Sequence, residues 1–359
     1  MNDFVWIGAA LVLGLAAFVV LRRPGTGEPA KELPPTPTVA SDNGKKKSTK
    51  SPRARTPEPT IAKLTFEEDD DEITLLNPQR NLMSGFLEET AGAKPTTTVF
   101  DEDAAIDEPT GPLALILVHA AGQTDKGRVR KRNEDSYLAL PKQNLYVVAD
   151  GMGGYAGGDV ASRVAVETVE QTYVSDKFPG EPFDKLPKRA SELIQSIEAA
   201  NAAIHDQASK EPTYRGMGTT IVAARFSPRK QRLWIAHVGD SRCYRMRGKT
   251  LVQMTVDHTM AAAGSKGAGA DRLMRALGIG KTVDVDLLVA KPRAGDIYLL
   301  CTDGLSKMLS FAELSDTLKR LPDPQEAVDE LVRTANDHGG KDNVTVIVVR
   351  IDPSGGHSS

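Results

Sequence analysis

The sequence has little cysteine and no excess charge of one sign. Cys243 and Cys301 are its two cysteines in 359 residues, which excludes a disulfide framework, and no Cys-x-x-Cys pair could hold zinc or act in redox chemistry. Lys plus Arg number 45 and Asp plus Glu 48, a net charge of −3 that gives no general attraction for nucleic acid. A nucleic-acid partner is therefore not expected, and a reducing compartment fits best.

Long apolar runs are also scarce, and the clearest one occupies residues 4–21. As a helix this uncharged run would be about 27 Å long, enough to span a bilayer. A cleaved signal peptide is the alternative, but it would need a basic start, whereas the chain begins MNDF and Arg22 and Arg23 follow the run. Basic flanks stay in the cytoplasm, so we predict a single-pass anchor (1–23) in the inner or plasma membrane, with the rest of the chain cytoplasmic.

Residues 24–111 lack any hydrophobic period long enough to bury a face. This stretch holds eleven of the 22 prolines, a basic run at 45–55, and acidic runs at 67–72 and 101–108. Such composition predicts a disordered, Pro-rich and charged linker in which the charge runs are solvated.

Two threonines in this linker have an acidic residue three positions later. Thr65 precedes Glu68 and Thr98 precedes Asp101. Kinases that prefer acidic sites could phosphorylate them, and arginine clusters of a phosphothreonine-binding domain could then bind the phosphate. A docking site for such a partner at Thr65 or Thr98 is therefore one hypothesis for the linker, and a plain tether is the other.

Residues 112–352 carry strong periodicity and are predicted to form one folded domain, followed by a flexible tail at 353–359. Apolar or alternating runs predict strands at 113–119, 144–149, 219–226, 232–238, 284–290, 296–301 and 343–351. Helical stripes lie between them, and Ser310 and Asp323 begin two late helices with capping residues. Strands and helices both come in adjacent pairs, which favours an α+β fold of antiparallel sheets covered by helix layers.

Acidic residues recur where the predicted strands end, most of them beside a glycine or another small residue. Alone, each would be read as a turn residue that hydrogen-bonds its own backbone. Five in one domain favour a cluster of carboxylates at a sheet edge, and without Cys or paired His ligands such a cluster selects Mg²⁺ or Mn²⁺ over zinc. The five are Asp135, Asp150, Asp240, Asp303 and Asp342.

The segment DGMGGYAGG also matches a dinucleotide-binding fingerprint at Gly151, Gly153 and Ala156. Two features disfavour this interpretation. Asp150 would lie beside a pyrophosphate and repel it, and no acidic residue ends a second strand about 20 residues later.

An ordered set of eight motifs resembles the metal-dependent serine/threonine phosphatases of the protein phosphatase 2C type. The resemblance covers residues 124–351 and runs GRVRKRNEDS, VVADGMGG, GMGTT, HVGDSR, DHT, LMRALG, CTDGLS and GGKDNVTV. It implies a four-layer α-β-β-α sandwich, a central antiparallel β-sandwich flanked by helix layers, with the metals at one end. It also implies hydrolysis of phosphoserine and phosphothreonine in proteins without a phosphoenzyme, by attack of a hydroxide that bridges two divalent ions.

The resemblance further implies roles for individual residues. Asp150 would bridge two Mn²⁺ or Mg²⁺ ions, Asp135 with Glu134 would order metal-coordinated water, and Arg130 would hold the substrate phosphate with its planar fork. Two ions a few Å apart stabilise both the attacking and the leaving oxygen. The implied metal-site residues are Asp150, Gly151, Asp303, Asp342, Asp135 and Asp240.

The sequence departs from the family in three places. Met152 stands where animal members have a histidine proposed to protonate the leaving group, so water or the surroundings of the leaving alkoxide must serve instead. The loop from His258 to Leu273 is short and made of small residues, so selection of substrate by it is not expected. Lys307 replaces a carboxylate associated with a third metal, so a third ion is expected to be weak or absent, with Lys307 either paired to Asp240 or Asp303 or turned to solvent.

Three functions fit these features to different degrees. The favoured one is a membrane-tethered phosphatase whose substrates are phosphoproteins, including a serine/threonine kinase or its targets. A phosphatase-like regulatory module that binds partners is the alternative, but it would not need Arg130, Asp150, Asp303 and Asp342 together. A metal-dependent nuclease is disfavoured because no basic channel is evident.

Overall fold

A computed structural model of the chain describes residues 96–101, 103–104, 106–111, 113–153 and 157–354. The strands are β1 (Thr96–Val99), β2 (Ile116–Asp125), β3 (Asp135–Leu140), β4 (Leu145–Met152), β5 (Gly218–Thr219), β6 (Ile221–Ser227), β7 (Arg232–Val238), β8 (Arg242–Arg247), β9 (Thr250–Gln253), β10 (Asp286–Ala290), β11 (Ile297–Cys301) and β12 (Val344–Pro353). The helices are α1 (Gly157–Ser175), α2 (Lys188–Lys210), α3 (Asp303–Ser306), α4 (Phe311–Arg320) and α5 (Pro324–Asp337).

The described strands form two sheets. The first has the order β1-β10-β7-β6-β4-β3, with β5 added to β4, and the second has the order β2-β12-β11-β8-β9. Neighbours are antiparallel, except that β1 runs parallel to β10. All seven predicted strands are present, while β1, β3, β8 and β9 were missed because they are short and carry many polar side chains.

Three apolar cores separate four layers, which confirms the predicted α-β-β-α sandwich. Alternation along β4 shows how: Val147 packs with α1 and α2, whereas Val148 packs between the two sheets. Because β4 is buried on both faces, its sequence is a continuous apolar run rather than an alternating one. Leu331 of α5 and Val346 of β12 belong to the third core, under the second helix layer.

The predicted helix starts are confirmed for α4 and α5. Ser310 accepts a hydrogen bond from the Glu313 amide, and the Glu313 side chain accepts from the Ser310 amide, which makes a complete capping box. Asp323 caps α5 by accepting from the amides of Gln325 and Glu326, with Pro324 in the first turn.

The predicted linker boundary at residue 111 needs correction, because the described residues between 96 and 111 pack on the domain. Thr96–Val99 form β1, and the Asp101 carboxylate, 8% exposed, accepts hydrogen bonds from Arg245 (2.5 Å) and Arg247 (3.3 Å). The Phe100 ring lies 4.9 Å from the Arg245 guanidinium. Asp101 is therefore neutralised by arginines of β8, a pairing that hydrophobic periodicity could not reveal. Residues 24–95 lie outside the described residues.

We expect a fragment starting at residue 96 to be more stable than one starting at 112. Loss of Asp101 leaves the largely buried Arg245 side chain without its carboxylate, a change that costs about 3 kcal/mol or more. Urea unfolding of the two fragments measures the difference. In the longer fragment, Asp101→Asn should reproduce much of the loss, whereas Asp103→Asn, which breaks a solvent-exposed pair with Lys291, should cost less than about 1 kcal/mol. Equal stability of the two fragments would contradict a docked segment.

Among the described residues, no helix combines the length and the apolar character needed to cross a bilayer. The anchor predicted at 4–21 lies outside them, as do Thr65 and residues 355–359 of the predicted tail.

Candidate metal centre and active site

Ends of strands from both sheets bring the predicted carboxylates to one end of the sandwich. Asp135 begins β3 and lies opposite Asp150 near the end of β4. Asp240 follows β7, Asp303 follows β11, and Asp342 precedes β12. The charges of Asp135, Asp303, Asp240 and Asp342 all act on Asp150, so the structure gathers the whole predicted set.

Asp135 is held by two threonines. Its Oδ2 accepts hydrogen bonds from Thr302 Oγ1 (2.9 Å) and Thr345 Oγ1 (2.7 Å). Its Oδ1 is buried and has no hydrogen-bond partner within the described ranges. One oxygen is therefore fixed by protein and the other remains a free acceptor inside the site.

The backbone of Asp150 is fastened to the strands beside it. Its amide donates to Thr220 Oγ1 (3.1 Å), and its carbonyl accepts from the Thr220 amide (2.9 Å) and from Thr219 Oγ1 (2.8 Å). Thr220 Oγ1 also lies 2.7 Å from Ser241 Oγ, which ties the Asp150 strand to the turn that carries Asp240.

Glycine is required after two of the aspartates by close backbone contact. A Cβ on Gly151 would lie 2.0 Å from the Gly158 carbonyl oxygen of α1, and one on Gly304 would lie 1.9 Å from the Asn343 carbonyl oxygen. The Asp-Gly pairs thus let α1 approach Asp150 and let the start of α3 approach Asp342. The Gly151 carbonyl, predicted to bind a metal, lies in this first contact.

Two basic side chains form ion pairs with carboxylates of the cluster. Arg130 Nη2 donates to Asp342 Oδ2 at 2.8 Å, and this bond, with the charges of Glu134 and Asp150, raises the pKa of Arg130. Lys307 Nζ donates to Asp303 Oδ2, which selects the paired alternative for this lysine over the solvent-facing one. Asp240 contributes to the field that raises the Lys307 pKa.

Burial and mutual repulsion raise the pKa values of the cluster. Burial first, and then the charges of Asp135 and Asp303, hold the pKa of Asp150 well above its ordinary value. Burial likewise raises the pKa of Asp135 to about 7, against the lowering effect of its two threonine donors. The pKa of Asp240 rises to about 6 through burial and the charge of Asp303, although Lys307 opposes the rise.

These residues fit a pair of hard divalent cations. Ionised carboxylates gathered in a half-buried site repel each other, and a cation is the partner that relieves the repulsion. The unpartnered Asp135 Oδ1 is an oxygen that could bind Mg²⁺ or Mn²⁺, or accept a hydrogen bond from water coordinated to them. The donor set is all oxygen, which disfavours zinc.

Sequence reasoning missed the residues that hold the site together. Asn343 donates to the carbonyls of Lys126 and Arg132 (both 2.8 Å) and accepts from the Glu134 amide (2.8 Å). It thereby fixes the loop that carries Arg130 and Glu134. The motif KDNVT contains a signal for this role. A polar asparagine between Asp342 and an apolar strand has no evident function in solvent, so it indicates a side chain that hydrogen-bonds within the protein.

Cys301 and three histidines lie outside the carboxylate cluster. Cys301 is fully buried. His119 lies on β2 near Asp352, and His237 is buried in β7, where burial lowers its pKa to about 3. His258 lies at the start of the short loop, as predicted, and bonds both Gly239 and Asp286.

Fold and site together define a metallophosphatase sandwich, and comparison with known proteins agrees. Residues 124–344 match the family model described as Protein phosphatase 2C. The chain is 36% identical over 248 residues to the serine/threonine phosphatase stp of Listeria welshimeri, which covers 65% of this chain and 95% of that protein. It is 37% identical over 250 residues to the serine/threonine protein phosphatase PstP of Mycobacterium tuberculosis, covering 67% of this chain and 46% of that protein.

A solved structure gives the same answer. The catalytic domain of PstP, in complex with two manganese ions, superposes with a TM-score of 0.58 at 35% identity, covering 66% of this chain and 99% of that one. This chain belongs to the protein phosphatase 2C family, and the predicted enzyme class, a protein-serine/threonine phosphatase, is confirmed.

Lys307 should keep a third ion from binding. Like unit charges about 4 Å apart repel by roughly 4 kcal/mol at an effective dielectric near 20, and Lys307 already neutralises Asp303. We expect calorimetric titration with Mn²⁺ to resolve two sites, and Lys307→Asp to add or tighten a third. Lys319→Asp, the same charge change in the last turn of α4, is the control and should leave the titration unchanged. Three comparable sites in the unmodified protein would contradict the charge argument.

Proposed function

We propose that this chain removes phosphate from phosphoserine and phosphothreonine in proteins, with two Mn²⁺ or Mg²⁺ ions per catalytic domain. The observation that supports it most is the convergence of Asp135, Asp150, Asp303 and Asp342 beside Arg130 at one end of the sandwich. Two ions bound there would supply Lewis acidity at the phosphoryl group and make water nucleophilic at neutral pH.

The chain's own residues divide the remaining tasks. Arg130 is half-exposed, and its fork is positioned by Asp342 to bind two oxygens of a phosphate. Asp135 Oδ1 is the free acceptor that can orient an attacking water or receive its proton. Met152 has no proton to give, so the leaving alkoxide takes its proton from water.

A direct assay tests the proposal. The full-length chain, purified in detergent, should release phosphate from a phosphothreonine peptide with Mn²⁺ or Mg²⁺, lose activity in EDTA, and recover it when the metal is restored. Activity that is indifferent to EDTA, or absent with either metal, would overturn the proposal. Activity confined to a nucleic-acid phosphodiester would favour the nuclease alternative.

We further propose that residues 4–21 tether the enzyme to the membrane with the catalytic domain in the cytoplasm. The proposal is supported by the uncharged run and by the Arg22–Arg23 pair after it. A reporter that is active only in the cytoplasm, fused after Ser359, should be active, and a reporter active only outside should be silent. The reverse pattern would place the domain outside.

The segment before the domain is proposed to present a phosphothreonine to a partner domain. Thr65 is the better position, because at Thr98 the acidic +3 residue, Asp101, is already bound to Arg245 and Arg247. The Thr98 side chain is exposed, but its backbone lies in β1, which pairs with β10. Binding of a phosphorylated Thr98 by a partner domain would therefore require β1 to leave β10. Phosphopeptide mass spectrometry with the cognate kinase active tests this, and two unmodified threonines would remove the idea.

A further inference from the structure

The loop at residues 258–276, which we name the flap, lies beside the metal end of the sandwich. Its two halves pair through the Met260 amide with the Arg272 carbonyl (3.0 Å) and the Met274 amide with the His258 carbonyl (2.8 Å). Just after it, Leu277 bonds Thr219 of β5, and Thr219 lies opposite Gly151. The charge of flap residue Asp271 acts on Lys307, so the flap faces the candidate metal ligands.

One carboxylate fastens both ends of this flap. Asp286, the first residue of β10, meets His258 Nε2 at 3.1 Å with Oδ2 and Arg275 Nη1 at 2.7 Å with Oδ1. Burial alone would raise the Asp286 pKa, but the His258 hydrogen bond and the positive charge of Arg275 bring it well below its ordinary value. Asp286 is therefore ionised, and each of its oxygens holds one half of the flap.

The same network reaches the turn that carries Asp240. The Gly239 amide donates to His258 Nδ1 at 3.1 Å, so a neutral His258 must carry its proton on Nε2, where it donates to Asp286. Gly239 has a φ of +106°, and a Cβ there would lie 2.6 Å from Thr220, so this turn has little freedom. Asp286 thus orders His258, and His258 orders the residue before Asp240.

A metal ion bound by His237, His258 and Asp286 is a less consistent interpretation of this cluster. Their ligand atoms lie within 4.8 Å of one another, and His237 Nδ1 has no hydrogen-bond partner in the described part of the chain. A metal on His258 Nε2 would displace the proton that the Gly239 contact requires on that nitrogen. It would also compete with Arg275, which already neutralises Asp286.

We propose that Asp286 is a positioning residue that sets how the flap meets a phosphoprotein substrate. The inference rests on the proposed function and names a determinant of substrate binding in it. A peptide on either side of the phosphoamino acid must pass the flap, whereas a small phosphate ester needs little beyond Arg130 and the metal end. Releasing the flap from Asp286 should therefore weaken peptide binding more than it slows the chemical step. The small residues of the flap had led us to expect no part for it in substrate selection.

The test compares two substrates on the full-length chain at saturating Mn²⁺. In Asp286→Asn the single amide oxygen can accept from His258 or Arg275 but not from both. We expect kcat/KM for a phosphothreonine peptide, divided by kcat/KM for p-nitrophenyl phosphate, to fall at least tenfold, mainly through the peptide KM. Arg275→Met keeps the His258 contact and should produce a smaller fall in the same direction.

A matched control separates positioning from general loss of stability. Glu192→Gln breaks the Arg225–Glu192 pair, a similarly buried ion pair between β6 and α2. It should lower the melting temperature comparably and leave the substrate ratio unchanged. Nitrogen NMR of histidine-labelled protein should also show His258 protonated on Nε2, and protonation on Nδ1 would overturn the assignment.

The outcomes distinguish this inference from the proposed function. If the unmodified chain hydrolyses neither substrate, the proposed function fails. If it hydrolyses both, and Asp286→Asn lowers them equally or neither, Asp286 has no positioning role and the inference is wrong. Saturable zinc binding that is lost in His237→Ala would instead favour a metal at the cluster.

Discussion

Asp150→Asn should lower kcat on a phosphothreonine peptide by at least about 10³-fold, which corresponds to about 4 kcal/mol of transition-state stabilisation. Asp150 is the carboxylate on which the charges of four other aspartates converge, so it is the residue whose neutralisation weakens the metal end most. The substitution keeps the side-chain shape, and the backbone bonds to Thr219 and Thr220 do not depend on the carboxylate. The fold should therefore persist.

The measurement is turnover at a Mn²⁺ concentration that saturates the variant, with circular dichroism and a melting curve beside it. Asp352→Asn removes a carboxylate of the same size, bonded to Arg350 at the end of β12, and should retain turnover. Near-normal turnover in metal-saturated Asp150→Asn would falsify the role given to this carboxylate.

Much of the site could be predicted because short-range sequence carries its signal. An apolar strand followed by Asp-Gly indicates a carboxylate at the strand end with no side chain beside it. Gly151 and Gly304 are needed because a Cβ there would collide with neighbouring backbone. The alternation of buried faces along β4 and the capping box at Ser310 are likewise local, so layers and helix starts were predictable.

The contacts that hold the site in place could not be predicted from such signals. Thr345 bonds Asp135 across 210 positions in the chain, and Asn343 bonds the loop before Asp135 across a similar distance. Thr345 does not differ in pattern from an ordinary strand residue, and the asparagine in KDNVT indicates a buried polar role without identifying its distant partners. The docking of Asp101 on Arg245 is also long-range, so the first residue of an acidic run that looks solvated from composition proves to be a buried partner.

The metal-free protein should lose stability as the pH rises from 6.5 to 8.0. The pKa of Asp135 is raised to about 7, and that of Asp150 is also held well above its usual range, each mainly by burial. A carboxyl whose folded pKa exceeds its unfolded value of about 3.9 gives stability that is full below that value and is lost as the pH passes the folded pKa. With metal bound, the ionised carboxylates are neutralised and this loss should vanish.

This pH window separates the cluster from other titrating groups. Burial lowers the pKa of His237 to about 3, so ionisation of His237 makes the stability rise with pH, opposite to the carboxyls. This rise ends near the pKa of an unfolded histidine, about 6.5. Burial also raises the pKa of Cys301 to about 12, which adds a loss only where an unfolded thiol ionises, near pH 8.5 and above.

Thermal unfolding in EDTA and in saturating Mn²⁺ measures the effect at three pH values between 6.5 and 8.0. Most of the Asp135 contribution is already lost below pH 6.5, and each kcal/mol lowers the melting temperature of a domain this size by roughly 2–4 °C. We therefore expect a fall of about 2 °C or more in EDTA and little change with Mn²⁺. Asp135→Asn should flatten the EDTA series, since it removes the carboxyl whose pKa lies near 7. Parallel falls with and without Mn²⁺ would show that the slope arises outside the metal end and that these carboxylates are not what the metal relieves.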